Sequence, residues 1–415
     1  MDFHDTPEEA AFRAEARAWL DANAEPLSPG ERRESPMVGS EGRKGLLERA
    51  QAWQRKKADA SWACITWPVE YGGRGASAIQ NVVWNQEENR YRVPPNMFTI
   101  GQGMLGPTIM AHGTPAQKQR YLRPMLRADE IWCQLFSEPA AGSDLAGLRT
   151  SAVRKGNEWV LNGQKIWTSG AHYCKWGMIV TRTDPAAKKH AGITYFIVDM
   201  QSPGIEIRPI KQINGASDFN EVFFNDVRVP DENRVGAVND GWRCALTTLM
   251  NERATIGSGG GMGVGIGELI KLARETQWNG RPALEDPSVR QRIAEFYIGL
   301  KGLEYTSYRT LTALSRGQTP GPENSIGKMV GAPLRQKLAS FAIELQGAAG
   351  ATLDAEATPL GGTFQHGWLG APGLRIAGGT DEILHNIVAE RVLGLPGEPR
   401  VDKDQAFQDV PTGRS

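Results

Sequence analysis

Apolar residues recur at helical spacing in the first third of the chain, in short alternating runs through the middle, and at helical spacing again toward the end. This change of period, from about 3.6 to 2 and back, restricts the chain to a helical segment, a β segment and a second helical segment in that order. The first segment opens with Thr6, Pro7 and Glu9, which read as a cap, a first-turn proline and the acid of a capping box, ahead of the stripe Phe12, Ala16, Trp19 and Leu20. Residues 26–43 carry prolines and glycines among charges and read as an exposed loop, and helices are expected near 44–60, 79–91 and 117–126. Between them Trp67-Pro68-Val69-Glu70-Tyr71-Gly72-Gly73-Arg74-Gly75 is too glycine-rich to be helical.

From Ile131 the turn signals Gly156-Asn157, Asn162-Gly163, Asp184-Pro185 and Ser202-Pro203-Gly204 separate runs at 159–161, 178–183, 193–199, 205–208 and 222–229. That is the pattern of an antiparallel β domain. Beyond Gly241, the residues Trp242, Ala245, Leu246, Leu249, Met250 and Arg253 recur at spacings suited to a helix, and more helices are expected near 266–277, 288–316, 325–346 and 380–393. The last is opened by Thr380 as a cap, with Asp381 and Glu382 at the positive end of the helix dipole, and closed by Gly394 and Pro396. The expected division is 1–127 helical, 128–240 β, 241–395 helical and 396–415 a tail, without repeats.

Composition removes several function classes. The 415 residues, 40% of them apolar, suffice for two or three cored domains, and 47 basic against 47 acidic residues leave no footprint for nucleic acid or an anionic membrane. Cys64, Cys133, Cys174 and Cys244 stand singly, and the histidines at 4, 112, 172, 190, 366 and 385 show no ligand spacing, so no disulfide framework or metal site is expected. No Gly-x-Ser-x-Gly elbow occurs, the amino terminus is acidic, and no apolar run approaches the roughly 18 residues of a membrane span. A cytoplasmic protein with reduced thiols is expected, and metallo- and serine-hydrolase readings are disfavoured.

Four stretches could carry chemistry. Cys133-Gln134-Leu135-Phe136-Ser137-Glu138-Pro139-Ala140-Ala141-Gly142-Ser143-Asp144 runs from an apolar strand into small residues and hydroxyls, which lets amides approach a flat or phosphorylated ligand. An ordinary strand-exit turn held by Ser and Asp explains it too, and better on composition alone. Asn162-Gly163-Gln164-Lys165-Ile166-Trp167-Thr168-Ser169-Gly170 places an indole and two hydroxyls at a strand end, where a Trp is more often core than cofactor cover. Glu252 sits at the shoulder of the apolar stripe between Leu249 and Ile256, so desolvation would suit it as a general base, although a salt-bridged helix-edge glutamate is commoner. Gly373-Leu374-Arg375-Ile376-Ala377-Gly378-Gly379-Thr380 is expected as a loop whose amides could meet a carbonyl or phosphate, or as a plain connection into a capped helix. The glycine-rich run from Gly257 to Gly267 has no Walker lysine and suits close helix packing.

Taken in order, these segments resemble the acyl-CoA dehydrogenase family over nearly the whole chain. The carriers are Glu70-Tyr71-Gly72-Gly73-Arg74-Gly75, Gly113-Thr114-Pro115-Ala116-Gln117-Lys118, the signature Ser137-Glu138-Pro139-Ala140-Ala141-Gly142-Ser143-Asp144, and Gly163-Gln164-Lys165-Ile166-Trp167. The resemblance implies an α+β multidomain fold: an N-terminal helical domain, a middle β-barrel and a C-terminal four-helix bundle, with FAD between barrel and bundle. It implies that Gln134, Phe136, Ser137 and Gly142 line the flavin, that Trp167, Thr168 and Ser169 cover and hydrogen-bond it, and that Ser143 touches flavin and coenzyme A. It also implies concerted α,β-dehydrogenation of an acyl-CoA, with the amide of Gly378 polarising the thioester carbonyl.

The chain departs from the common pattern at two places. Many members carry the catalytic Glu where this chain has Gly378; others, of the isovaleryl and long-chain type, carry it where this chain has Glu252, with an arginine beside it like Arg253. The base is therefore assigned to Glu252, and Arg253 to the substrate. In place of the interface Arg-x-x-Phe-Gly stands Trp278-Asn279-Gly280-Arg281-Pro282-Ala283-Leu284, leaving Arg281 as a weak substitute. Leu345-Gln346-Gly347-Ala348-Ala349-Gly350 resembles the glycine-rich loop that meets the ADP half, through Gln346, Gly347 and Gly350, and Gly379, Thr380 and Glu382 align with further FAD contacts. The expected partners are an acyl-CoA, an electron-transfer flavoprotein and further copies of the chain in a homodimer or homotetramer. The competing readings are a catalytically silent subunit of a mixed assembly and a flavin oxidase or monooxygenase on the same fold.

Overall fold

The computed structural model describes residues 5–28, 31, 40–257, 265–316, 318, 321–399, 402 and 404–411, with the side chains at 40–44, 253–257 and 314–315 outside that description. The described residues fall into two compact units, one within His4–Thr255 and Glu398–Ser415, the other within Ile256–Gly397. Among them no helix is long and apolar enough to cross a membrane.

The first unit begins with helices α1 (Pro7–Asn23), α2 (Ser40–Asp59), α3 (Ala78–Glu88), α4 (Gly106–His112) and α5 (Pro115–Leu126). Thr6 and Glu9 form the expected capping box, and Ser77 with Gln80 and Thr114 with Gln117 form two more. The helix expected over 79–91 stops at Glu88, because Tyr91–Arg92 (β2) leaves to pair antiparallel with Glu25–Pro26 (β1). Helix α4 was not legible: seven residues containing Gly106 and Pro107 are too few to show a period, and it follows a π-helical turn over Ile100–Leu105. In the glycine-rich segment the Arg74 guanidinium lies 4.1 Å from the Trp62 ring and 2.6 Å from Glu15. Gly73 is required there, since a Cβ would fall 2.1 Å from the Trp67 carbonyl oxygen.

The β segment comprises β3 (Trp132–Leu135), β4 (Ser151–Lys155), β5 (Glu158–Ser169), β6 (Trp176–Arg182), β7 (Ile193–Asp199), β8 (Ile205–Ile210), β9 (Phe219–Pro230) and β10 (Arg234–Val235), in the order β10-β7-β6-β4-β5-β9-β8. The sheet curls so that Trp159, Phe196, Val198, Phe224 and Val227, from β5, β7 and β9, share one interior. Not every pairing is antiparallel: β3 lies parallel to β6, with Gln134 opposite Met178, because the β4–β5 hairpin forms part of a long crossover between them. Asn162-Gly163 is not the turn its sequence predicts. β5 runs through it with a register shift, Asn162 exchanges hydrogen bonds with Asp226 (3.0 and 2.9 Å), and Gly163 has φ 149°, with its Cβ position only 2.5 Å from Thr150 Oγ1. All of β6 is buried, since Met178 and Val180 meet Ile109, Leu122 and Met125 of α4 and α5 while Ile179 faces the sheet interior. That outer helical layer also contains Cys244 and Ala245 of α6 (Gly241–Gly257).

In the second unit α7 (Ile266–Glu275), α8 (Pro287–Ser315), α9 (Ser325–Leu345) and α10 (Thr363–Ile376) share a core of Leu272, Phe296, Leu338, Phe341 and Phe364, and α11 (Asp381–Arg391) follows. The loop expected over 373–380 is shorter, for residues 373–376 are the last turn of α10, which contains Pro372. A proline inside a helix costs about 3 kcal/mol, but Pro372 is exposed, where water can satisfy the freed carbonyl, and the same helix buries Phe364 and Ala371.

Candidate active site

The signature loop leaves β3 through buried Phe136, and the amides of Glu138 and Ala141 each donate to the other's carbonyl at 3.0 Å. The Glu138 carboxylate is buried and accepts from Lys165 Nζ (2.8 Å) and from the backbone amides of Arg149 (2.7 Å) and Thr150 (2.9 Å). Burial alone pushes this carboxyl up, but the Lys165 charge and these hydrogen bonds outweigh it and hold the pKa below the usual glutamate value. Lys165 is 0% exposed and also donates to the Phe136 carbonyl at 3.0 Å, so one ammonium fixes both ends of the loop's first turn to β5. Sequence reasoning gave neither residue a role; the available signal was a lysine sitting among the apolar residues of a strand.

Two residues beyond Lys165 the register of β5 shifts again, and Trp167 takes φ 60° with 57% of its surface exposed. The bulge turns the indole out of the sheet, where it meets Phe219 edge-on at 6.0 Å. Thr168 next to it is buried, and its hydroxyl has no hydrogen-bond partner. Ser137 and Ser169 are half-buried, whereas Gly142 and Ser143 are exposed.

Glu252 lies on α6 and is half-buried, its Oε2 accepting from Gln134 Nε2 at 3.2 Å. One helical turn earlier the buried Thr248 hydroxyl lies 2.8 Å from that of Thr108 on α4 and 3.0 Å from that of Tyr195 on β7. This hydroxyl cluster fixes the azimuth of α6 and therefore the direction in which Glu252 points. Thr248→Val, which keeps the shape but leaves two buried hydroxyls short of a partner, is expected to lower stability by about 1–3 kcal/mol in denaturant unfolding. The Arg253 side chain and residues 258–264 lie outside the described residues.

In the second unit Gly378 (φ 64°) and Gly379 (φ 94°) form a left-handed pair before α11, held by Lys328 Nζ on the Gly379 carbonyl. Thr380 caps the helix by accepting from Ile383 N at 3.3 Å, and hydrogen bonds from its own backbone amide and from Thr380, at the α11 amino terminus, keep Glu382 below the usual glutamate value. Gln346 is buried and accepts from Gln365 Nε2 at 2.8 Å, leaving the Gln365 Oε1 buried without a partner. Gln365 was missed because it lies on the unrecognised α10. Gly347 has φ 55°, and a Cβ on Gly350 would fall 2.5 Å from the Ile343 carbonyl oxygen. Arg281 sits in a small hairpin, Gln277–Trp278 (β11) with Arg281–Pro282 (β12), and reaches Asp286 at 3.3 Å.

Among the described residues no group of three His, Cys, Asp or Glu could hold a metal ion. An exposed indole on a bulge, an unpaired buried hydroxyl beside it and a half-buried Ser137, whose carbonyl accepts from the Ile166 amide of β5, instead fit a flat aromatic group with polar edges, such as an isoalloxazine ring.

Comparison with known proteins identifies the family. Family profiles match residues 6–129 (Acyl-CoA dehydrogenase, N-terminal domain), 133–227 (middle domain) and 239–393 (C-terminal domain). The chain belongs to the acyl-CoA dehydrogenase family. It is 39% identical over 393 residues to acyl-CoA dehydrogenase IpdE1 of Mycobacterium tuberculosis, across 94% of this chain and 98% of that protein. Among solved structures it is similar to the Tcur3481-Tcur3483 steroid ACAD, with a TM-score of 0.77 and 28% identity over 96% of this chain and all of that one. It is likewise similar to the ChsE4-ChsE5 complex of Mycobacterium tuberculosis, with a TM-score of 0.76 and 27% identity over the same shares. Acyl-CoA dehydrogenases are FAD-dependent oxidoreductases, and this chain is one of them.

Proposed function

We propose that the chain removes the α-proton of an acyl-CoA thioester with Glu252 and yields the trans-2-enoyl-CoA. The observation that carries this reading is the 3.2 Å hydrogen bond from Gln134 to Glu252, which sets a half-buried carboxylate beside the strand leading into the signature loop. A carboxylate oriented by an amide and partly withdrawn from water is suited to accept a proton at neutral pH. The backbone amide of Gly378 donates to the thioester carbonyl and makes the α-proton acidic enough to leave. FAD, when bound, supplies the hydride acceptor. On this reading Gln134, Phe136, Ser137, Gly142, Trp167, Thr168 and Ser169 bound the flavin, Ser143 and Arg253 meet the thioester ligand, and Gln346, Gly347, Gly350, Gly379, Thr380, Glu382 and Arg281 serve the rest of the dinucleotide.

The likeness to a steroid ACAD supports a bulky, ring-bearing acyl-CoA as substrate. Tyr297, Ile298 and Tyr305 on α8 are 46%, 70% and 50% exposed, which supports burial of this helix face in an oligomer of the chain. The pair of names on each similar structure supports a mixed assembly as the second reading. Electron-transfer flavoprotein is the proposed acceptor.

The test is the visible spectrum of the purified protein, recorded anaerobically before and after adding saturated acyl-CoA thioesters, straight-chain, branched and steroid-derived. Bleaching of the oxidised-flavin band by one of them, with the matching enoyl-CoA as product, is expected. A flavin band unchanged by every thioester would overturn the reading.

A further inference from the structure

After α11 the chain returns to the β segment, a course that sequence reasoning left as a plain tail. Ala406 forms an antiparallel bridge with Lys188, and Phe407 N and Gln408 N donate to the carbonyls of Ala187 and Pro185 at 2.9 Å each. The Phe407 ring is buried, with the guanidinium of Arg182 3.7 Å and that of Arg149 5.1 Å from its centre. Lys188 pairs with Asp404 at 2.7 Å, and Lys189 Nζ lies between Asp402 Oδ2 and Asp144 Oδ2, 2.6 Å from each.

These contacts converge on the signature loop. Asp144 is its last residue, Arg182 donates to the carbonyl of Ala146 at 2.6 Å, and the amide of Arg149 holds Glu138. The outer part of the loop has little else to fix it: Pro139, Ala140, Gly142 and Ser143 are exposed, and a Cβ on Gly142 would meet nothing within 4 Å. Burial opposes the Lys189 charge, yet Asp144 and Asp402 together keep its pKa above the usual lysine value, so both ties hold through neutral pH.

We propose that residues 402 and 404–410 form a strap that holds the signature loop in the conformation that receives the acyl-CoA, with Phe407, Asp402 and Lys189 as positioning residues. The proposal rests on the reading that Ser143, next to Asp144, meets the thioester ligand. The strap acts on the outer turn of the loop, Gly142 to Asp144, and leaves the base and the buried residues Phe136 and Thr168 in place.

The experiment uses the full-length holoenzyme carrying Phe407→Ala, Phe407→Tyr or Asp402→Asn. Phe407→Ala is expected to raise KM for the bleaching thioester about tenfold while kcat and FAD content hold, the size of one desolvated cation–π contact. Amide hydrogen exchange over 138–149 should quicken in the same variant, and Phe407→Tyr should restore both. Asp402→Asn, at a partly exposed residue, keeps the test open if Phe407→Ala does not fold, and should raise KM in the same direction. Unchanged KM and unchanged loop exchange in a folded variant would overturn the strap. If no thioester bleaches the wild-type flavin, the proposed function fails and loop exchange alone decides the strap, faster exchange supporting it and unchanged exchange refuting it.

Discussion

Glu252→Gln is expected to lower turnover by about 10²–10⁴-fold, the usual contribution of a positioned general base, while the purified protein keeps its flavin. The substitution preserves the length of the side chain, and its amide oxygen can still accept from Gln134 Nε2, which lies 3.2 Å from Glu252 Oε2. What is lost is the one property the proposed role asks of this position, the ability to take up a proton. Because the residues proposed to face the flavin belong to other elements, the oxidised-flavin band should persist and an acyl-CoA should still perturb it on binding without bleaching it. Stopped-flow reduction under anaerobic conditions measures this directly. Reduction at near wild-type rate would remove Glu252 from the mechanism.

The largest effect on stability is expected from Lys165→Met. The ammonium is 0% exposed and is the charge that offsets the buried Glu138 carboxylate; removing one partner of such a pair costs about 3–5 kcal/mol, whereas the pair itself is worth much less against an apolar replacement. Glu138→Gln combined with Lys165→Met should therefore recover part of the loss, since the neutral side chain leaves no buried charge and its one amide oxygen can still accept from one of the two amides, Arg149 or Thr150, that the carboxylate holds. The pH dependence gives an independent signature. In the native protein the Glu138 pKa lies below its unfolded value, so the carboxylate contributes stability above the unfolded value, lost as pH falls through the folded one. Without Lys165, burial is opposed only by the hydrogen bonds from Thr150 and Arg149, and the folded pKa is expected to rise above the unfolded value. Stability of the variant then declines as pH rises, and its deficit against wild type should be widest at neutral pH and narrow toward the ordinary glutamate range. Denaturant unfolding across that window checks it; a deficit independent of pH would show that Glu138 is not the group left uncompensated.

Much of the candidate site was legible because its elements are announced locally. A capped helix start at Thr380, a strand running into Ser137-Glu138-Pro139 and an indole after Lys165 are written in consecutive residues, and so is their likeness to a family pattern. The local signal misled where a neighbour decided the outcome. Asn162-Gly163 has the composition of a hairpin turn, but Thr150 presses on Gly163 and Asp226 holds Asn162, so the pair became a bulge inside β5. Residues 373–376 read as the start of a loop, yet α10 continues through them and past Pro372 because its buried side leaves the proline facing water.

The sequence by itself determined the succession of helical, β and helical segments and the ends of several helices, since periodicity and capping depend on residues three or four apart. Only the tertiary structure decided that β3 lies parallel to β6, that Gln134 reaches Glu252 across 118 positions, and that Phe407 returns to Arg182. Those partners meet because buried charges and polar groups must find compensation wherever the packed chain offers it, and no local spacing records where that will be.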